Sequence, residues 1–430
     1  VNREAAPVRI AEDSSADKTS KPLRPFLVSS TRSPLANPKT PAHRLAAQVQ
    51  SLLYFPDPSP LYAVLGALAA NTMRGYPVWL MLVGPPESGK TELLRPVANL
   101  PGCRECGDLT GKAALLSGTP ARDAASDSTG GVLKSMIDAG DGKTHRGALV
   151  MLDFARTVLA ADPATSRSTL GAIGMLHDQH YQREIGTDGG RTISFSGRIG
   201  FLAATTDVID HPDHQRANAE MGERCLYYRY PESDGRHEIN AALDNPDGTS
   251  KMERLQDLFL EFWFDAYLDW HAKPEPRPLT DDERRRIAAL AQFCARGRSG
   301  VQRDRYMKHE ISGVTRPALG PRIANTLAQL MRGMEHVGCT TADIARVLRQ
   351  CAMDSLPGTR ALALRFIRDG IYGVADLADL VKISQGAMKR TLEDLRAHGL
   401  LASDQAGVRW ELSEHALALL KTGWGEVDQV

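Results

Sequence analysis

The chain has 430 residues, 42% hydrophobic and 24% charged, the composition of a globular protein with core enough for about two to four domains. Lysine plus arginine and aspartate plus glutamate number 52 each. Net charge therefore excludes a uniformly basic nucleic-acid binder and leaves any such contact to a local patch. No apolar run approaches ~18 residues and no signal-like stretch opens the chain, so no membrane segment is expected. Six scattered cysteines suit a cytoplasmic protein.

Residues 1–40 are rich in Ser, Pro, Lys, Asp and Ala and poor in large apolar residues, which predicts a disordered tail. From Pro41 to Ala70 apolar residues recur at helical spacing, broken at Phe55-Pro56-Asp57-Pro58. These helices lead into a strand at Val78–Val83. It runs directly into Gly84-Pro85-Pro86-Glu87-Ser88-Gly89-Lys90-Thr91 and a helical stretch from Glu92. Cys103 and Cys106 form a lone C-x-x-C; without a second pair or nearby histidines they read as small residues in a turn rather than a zinc site. Gly147–Asp153 predicts a buried strand ending in a carboxylate. Tyr181–Ile185 and Arg191–Phe195 flank Gly186-Thr187-Asp188-Gly189-Gly190 as a hairpin, since Asp-Gly between alternating residues favours a tight turn. Further strands are expected at Ile199–Ala204, followed by Thr205-Thr206-Asp207, and at Cys225–Arg229. Apolar strands alternating with helical stretches predict a parallel sheet covered by helices on both faces.

Beyond Pro231 the pattern becomes helical, at 252–270, 280–296, 318–336 and 340–353, with a proline-rich break at Lys273–Pro278. From about 361 a compact set follows: a helix over 361–368, another at Val374–Leu380, a turn at Lys382-Ile383-Ser384, a helix Gln385–His398 capped by Gly399, and a strand at Val408–Leu412. That order predicts a helix-turn-helix with a β wing. The basic stretch Arg284-Arg285-Arg286, Arg296, Arg298, Arg303, Arg305 and Lys308 reads first as a solvated helix face and second as a phosphate contact.

G-x-x-x-x-G-K-T between a strand and a helix is the phosphate-binding loop of an NTPase. Gly84 and Gly89 let the backbone, with Pro85, Pro86, Glu87 and Ser88, wrap so that its N–H groups point at phosphate. Lys90 supplies a charge for the β- and γ-phosphates, Thr91 a hydroxyl ligand for Mg²⁺, and the helix entered at Glu92 a positive end. ATP and Mg²⁺ are the expected ligands. Asp153 fits the Mg²⁺-side carboxylate of such an enzyme, or else a strand-end cap for the next helix. Many ATPases carry Glu directly after this aspartate to activate water. Here the next residue is Phe154, which leaves Asp178 and Glu184 as candidate bases or hydrolysis slow. Thr206 can hydrogen-bond the γ-phosphate or the attacking water, or be an ordinary strand end.

On the segments Val83–Leu94, Gly147–Arg156, Gly200–Asp210 and Met221–Pro231, residues 60–360 resemble the AAA+ ATPases. The resemblance is to the replicative-helicase branch that includes the MCM proteins, and more closely to ATPase/helicase proteins of phages and integrated mobile elements. In that group the strand aspartate is likewise followed by Phe. The resemblance implies that Thr206 matches a sensor-1 position and that the hairpin over 183–195 points into a central DNA channel, with Arg183 or Arg191 touching DNA. It further implies that Arg224, in Met221-Gly222-Glu223-Arg224-Cys225, is an arginine finger offered to a neighbouring subunit. Arg322, in Gly320-Pro321-Arg322-Ile323-Ala324, matches a sensor-2 arginine at the nucleotide. A guanidinium inserted at the γ-phosphoryl group is worth roughly 10³–10⁵ in rate; the alternative is a structural Arg224 paired with Glu223 or Asp207.

The expected fold is therefore an α/β P-loop NTPase: a tail over 1–40, an AAA+ αβα core over 41–231, an α-helical lid over 232–360 and a C-terminal winged helix over 361–430. In the last of these Lys389, Arg390, Arg396 and Arg409 are the candidate DNA contacts, nearly balanced by Glu393 and Asp394. The expected function is a ring-forming, hexameric DNA translocase or helicase driven by ATP. The rivals are an AAA+ switch, such as an initiator, loader or anti-phage defence component, and an ATP-binding winged-helix transcription regulator.

Overall fold

The computed structural model describes residues 40–107, 112–116, 131–138, 145–185, 191–214, 217, 221, 224–230, 235–244, 248–269, 272, 274–304, 310–404 and 407–424. All lie in one compact unit, Leu35–Val430. The tail expected over 1–40 falls outside the described residues apart from Thr40, as do the turn 186–190, Glu223, Arg305 and Lys308.

Two helices come first, α1 (Pro41–Leu52) and α2 (Ser59–Thr72). The Thr40 side chain accepts from the His43 N–H and starts α1. Every residue of α2 is buried, as suits a helix apolar on all sides. Strand β1 (Trp79–Val83) follows, then α3 (Lys90–Ala98), β2 (Cys103–Glu105), the short helices α4 (Lys112–Leu115) and α5 (Val132–Asp138), and β3 (His145–Met151). Next come α6 (Pro163–His177), β4 (His180–Ile185), β5 (Arg191–Thr205) and β6 (Cys225–Arg229). The sheet order is β2-β3-β5-β1-β6 with all these pairs parallel, while β4 pairs antiparallel with β5.

The alternation of side chains along each strand explains why both faces are covered. Leu80, Leu82, Ala148, Val150, Leu202, Ala204, Leu226 and Tyr228 enter one apolar cluster with α1, α2 and α3. Trp79, Met81, Val83, Leu149, Met151, Phe201, Ala203, Cys225 and Tyr227 enter a second with α4, α5 and α6. Close approaches fix α2 against the sheet. Asn71 donates to the Val78 carbonyl (2.9 Å) and accepts from the Val78 N–H (2.8 Å). A Cβ at position 200 would lie 2.2 Å from the Asn71 amide nitrogen, so only glycine fits there. Arg198 donates to the Met73, Ala70 and Tyr76 carbonyls and so satisfies the C-terminal end of α2.

The later helices are α7 (Arg236–Asp244), α8 (Gly248–Asp265), α9 (Asp281–Arg298), α10 (Pro321–His336) and α11 (Thr341–Asp354). Helices α8 to α11 share the first cluster with the sheet. Helix α10 crosses α2 where two glycines meet: a Cβ on Gly333 would sit 2.0 Å from the Gly66 carbonyl oxygen. The end of α11 closes the β6 edge, since Ser355 Oγ accepts from the Tyr227 N–H (2.9 Å) and Asp354 Oδ2 from the Arg229 N–H (2.6 Å). That use of side chains covers an edge strand that would otherwise stay open. A small antiparallel pair, β7 (Val301–Arg303) with β8 (Ile311–Val314), was not expected from sequence.

At the C-terminus lie α12 (Gly358–Arg368), α13 (Val374–Val381), α14 (Gln385–Ala397), the antiparallel pair β9 (Leu401–Ser403) and β10 (Trp410–Leu412), and α15 (Glu414–Trp424). Helix α15 and Leu400 pack on α9: a Cβ on Gly423 would lie 2.7 Å from Leu290, and one on Gly297 would lie 3.3 Å from Leu400. Arg360 donates to the Gly297 (2.9 Å) and Ser299 (2.6 Å) carbonyls across the same seam. Among the described residues no helix is long and apolar enough to cross a membrane.

Candidate functional site: a phosphate loop at the strand ends

The loop leaves β1 at Val83 and is tied to its neighbours on both sides. The Gly84 N–H donates to the Thr205 carbonyl at the end of β5 (3.3 Å), and the Tyr230 N–H donates to the Val83 carbonyl (2.8 Å). Gly84 is required by closeness, because a Cβ there would meet the Tyr230 Cβ at 2.8 Å. Gly89 is required by conformation: its φ is 80° and nothing crowds it. Glu87 also takes a left-handed φ of 61°, a conformation more usual for glycine. Gly89 starts α3 without a side-chain cap, so the first N–H groups of α3 stay available to an anion.

Lys90 is buried, and its ammonium donates to the Gly84 carbonyl (3.0 Å), the Pro85 carbonyl and Ser88 Oγ (2.8 Å). Burial lowers its pKa, opposed by the carboxylates of Asp207, Glu92 and Asp153. Pro85, Ser88, Thr91 and Glu92 are half-buried and Pro86 and Glu87 exposed. Asp153 follows β3 and acts there as a cap. Its Oδ1 accepts from the Arg156 N–H (2.9 Å), while about half its side chain (49%) stays exposed. Thr206 is half-buried and makes no capping hydrogen bond in the turn 207–210 that it begins. Because β5 lies between β1 and β3, its end falls between the loop and Asp153.

Arg224 and Arg322 are elsewhere. Arg224 Nη2 is 3.9 Å and Arg322 Nη2 3.5 Å from the two oxygens of Asp178, the residue that ends α6. The next residue, Gln179, accepts from the Gly197 N–H, where β5 enters the central sheet. From Gly197 to Thr205 the strand spans roughly 25 Å. So Arg322, expected at the nucleotide, is gathered with Arg224 at the opposite sheet end. Of the structural partners considered for Arg224, Asp207 lies 3.9 Å from Arg229 instead, and Glu223 is outside the described residues.

The two candidate bases are also displaced. Asp178 is engaged by these arginines and by His177 (3.5 Å). Glu184 is on β4, bonded to Gln182 (2.9 Å) and Thr192. Phe154 is wholly buried in the second cluster, so position 154 offers no group to the loop. The carboxylate that sequence reasoning did not consider as a base is Asp207; its signal was its place directly after the Thr205-Thr206 strand end.

Arg183 and Arg191 are on the hairpin formed by β4 and β5, in register with Ile193 and Ile185 respectively. Residues 191–196 continue β5 beyond its central-sheet pairing, at the end away from the loop. On α14, Lys389, Arg390 and Arg396 are exposed and, among the described residues, form no ion pair. The acids of α14 are neutralised from behind. Arg303 pairs with Glu393 (3.0 Å) and Asp394, and Arg360 with Asp394 (2.8 Å). Arg409 stacks on Tyr372 (4.4 Å to the ring centre) and pairs with Glu411. Within the basic stretch, Arg285 and Arg286 pair with Asp282, and Arg296 donates to the His398 carbonyl. Cys103 and Cys106 lie at and just beyond the edge strand β2, and burial pushes the Cys106 thiol up to about 12. No group of three or more potential metal ligands occurs among the described residues.

No family model and no curated protein matches this chain. Among solved structures it is similar to a candidate ATPase from Cytophaga hutchinsonii, at 12% identity and a TM-score of 0.39, covering 80% of this chain and 95% of that one. It is also similar to the RuvB Holliday junction branch migration motor of Thermotoga maritima, at 14% identity and a TM-score of 0.21, covering 86% and 94%.

Proposed function

We propose that this protein is an AAA+ ATPase that works as a ring, hexameric by the resemblance, and couples ATP hydrolysis to movement along or unwinding of DNA. The observation that carries the reading is the joining of Gly84–Thr91, Asp153 and Thr206 at the C-terminal ends of three neighbouring parallel strands, with β5 between the loop strand and the aspartate strand. Thr91 and Asp153 would hold Mg²⁺, which would offset charge on the phosphates when bound. Lys90 would exchange its contacts within the loop for the β- and γ-phosphates, and the free N–H groups of α3 would add theirs. Residues 41–231 act as the core, 232–360 as the lid and 361–430 as a winged helix.

Strand β5 supports a mechanical role. Thr206 follows one end of it and Arg191 starts the other, so a shift at the phosphate would be carried to the hairpin. ATP turnover by the full chain, alone and with single-stranded and duplex DNA, tests the reading. Stimulation by DNA and ATP-dependent strand displacement are expected. Turnover indifferent to DNA would favour the switch reading.

A trans role for Arg224 is supported by its separation from its own loop. An Arg224→Ala protein is expected to bind ATP nearly normally and hydrolyse it at least ~100-fold more slowly. Mixing it with Lys90→Ala protein should restore part of the activity, where an intact finger meets an intact loop. No recovery, with co-assembly shown by sedimentation, would leave Arg224 a structural partner of Asp178.

DNA contact by α14 is supported by the pairing of its acids to Arg303 and Arg360, which leaves three cations facing solvent. Replacing Lys389, Arg390 and Arg396 by Ala should weaken DNA binding on all sequences and lower the salt slope by about 1 per lost phosphate contact. An unchanged slope would assign this face to a protein partner.

A further inference from the structure

We propose that the Asp207 carboxylate is the base that takes the proton of the attacking water at this phosphate loop; the inference rests on the ATPase reading above. Position 154 is closed by a buried phenylalanine, and Asp178 and Glu184 are held elsewhere. Three carboxylates act on the Lys90 ammonium. Asp153 is partly committed to the Arg156 N–H and is the residue suited to the metal. Glu92 rides on α3 and bears on Tyr230, which lies on the β6 side of the loop, away from Asp153. Asp207 alone follows β5, the strand lying between the loop strand and the Asp153 strand.

Its setting suits the task. The Thr205 carbonyl, two residues before it, accepts from the Gly84 N–H, so Asp207 leaves the sheet beside the loop's first residue. The turn that carries it is anchored: Ile209 is buried, and Asp210 accepts from Arg229 (2.6 and 3.1 Å) and from the Gly358 N–H (2.9 Å). Asp207 itself is 63% exposed, and its contact with Arg229 is long, at 3.9 Å. A solvent-facing carboxylate on a fixed turn can take a proton and release it to water.

In the reaction the water oxygen bonds to the γ-phosphorus and the bond from that phosphorus to the β–γ bridging oxygen breaks. The electron pair leaves with ADP, and the water proton passes to Asp207 and then to solvent. ATP and water become ADP, phosphate and a proton.

The test uses the full chain carrying Asp207→Asn. Turnover at saturating ATP is expected to fall at least ~100-fold. Affinity for a non-hydrolysable ATP analogue, read by fluorescence, should hold or tighten, and preference for the analogue over ADP should rise, since a negative charge has left the γ-phosphate side. The residual rate should climb with pH as hydroxide replaces the base, and Asp207→Glu should recover part of the activity. Turnover within about threefold of wild type would overturn the proposal and leave the ATPase reading standing. Loss of analogue binding together with turnover would also overturn it, making Asp207 a binding or structural residue. A wild-type protein that does not hydrolyse ATP would overturn both.

Discussion

A Lys90→Ala protein is expected to lose ATP turnover to below about one-thousandth of wild type and to bind ATP far more weakly. Lys90 is the cation at the centre of the loop. It holds the loop on itself through the Gly84 and Pro85 carbonyls and Ser88 Oγ, so the deletion removes both a phosphate ligand and a support of the loop. The fold itself should survive, because Lys90 belongs to neither apolar cluster, so the loss of its donor falls on the loop carbonyls alone. Asp153→Asn should differ: some nucleotide binding stays, while Mg²⁺-dependent turnover is lost. Titration with a fluorescent ATP analogue, with and without Mg²⁺, separates the two variants. Normal turnover in Lys90→Ala would remove the ATPase assignment altogether, and normal turnover in Asp153→Asn would return that residue to its capping role on the Arg156 N–H.

Arg229→Met should destabilise the protein by about 3–5 kcal/mol near pH 8, the range for removing one partner of a buried ion pair. Arg229 ends β6 almost out of contact with water, at 9% exposure. It grips Asp210 with two nitrogens (2.6 and 3.1 Å) and donates to the Asp354 carbonyl (3.0 Å), while its N–H donates to Asp354 Oδ2 (2.6 Å). Asp354 is fully buried; burial pushes it up to about 6, opposed by Arg365 and Arg229. Its folded value thus exceeds its unfolded value near 4. The stability it contributes is fully present below that lower value and is lost as pH rises through about 6. Removing Arg229 lifts the folded value further, so the penalty should shrink toward about pH 5, where Asp354 takes a proton, and be largest at about pH 8. Urea unfolding of both proteins at the two pH values measures this. An equal loss at both would mean that Asp354 does not respond to Arg229.

The same network ties the turn after Thr206 to the start of α12, through Asp210 and the Gly358 N–H. A Cβ on Gly358 would lie 2.3 Å from Asp210 Oδ2, which reserves the position for glycine. Asp210, Arg229 and Asp354 are spread along the chain, each unremarkable in its local pattern, and nothing in the sequence links them.

What the sequence determined by itself was local. A phosphate loop is one continuous octapeptide whose glycines, lysine and threonine each have a backbone or charge reason, so Gly84–Thr91 was legible without a fold. Strands β1, β3 and β6 were legible as apolar runs because both sheet faces are buried, which leaves no polar alternation to confuse the period. Long helices such as α9 and α11 were legible as helical stretches, while the capping boxes at Thr280 and Thr340 came only with the structure. The edge strand β2, the β7–β8 pair and β9 are three or four residues long and carry no periodic signal, so only pairing partners define them. Tertiary structure alone decided which charges meet. It brought Arg224 and Arg322 to Asp178, turned Glu393 and Asp394 toward Arg303 and Arg360, and set Asp207 beside the loop. Ion pairing acts over a few ångströms of space whatever the chain separation, whereas sequence periodicity reports only on neighbours along the chain.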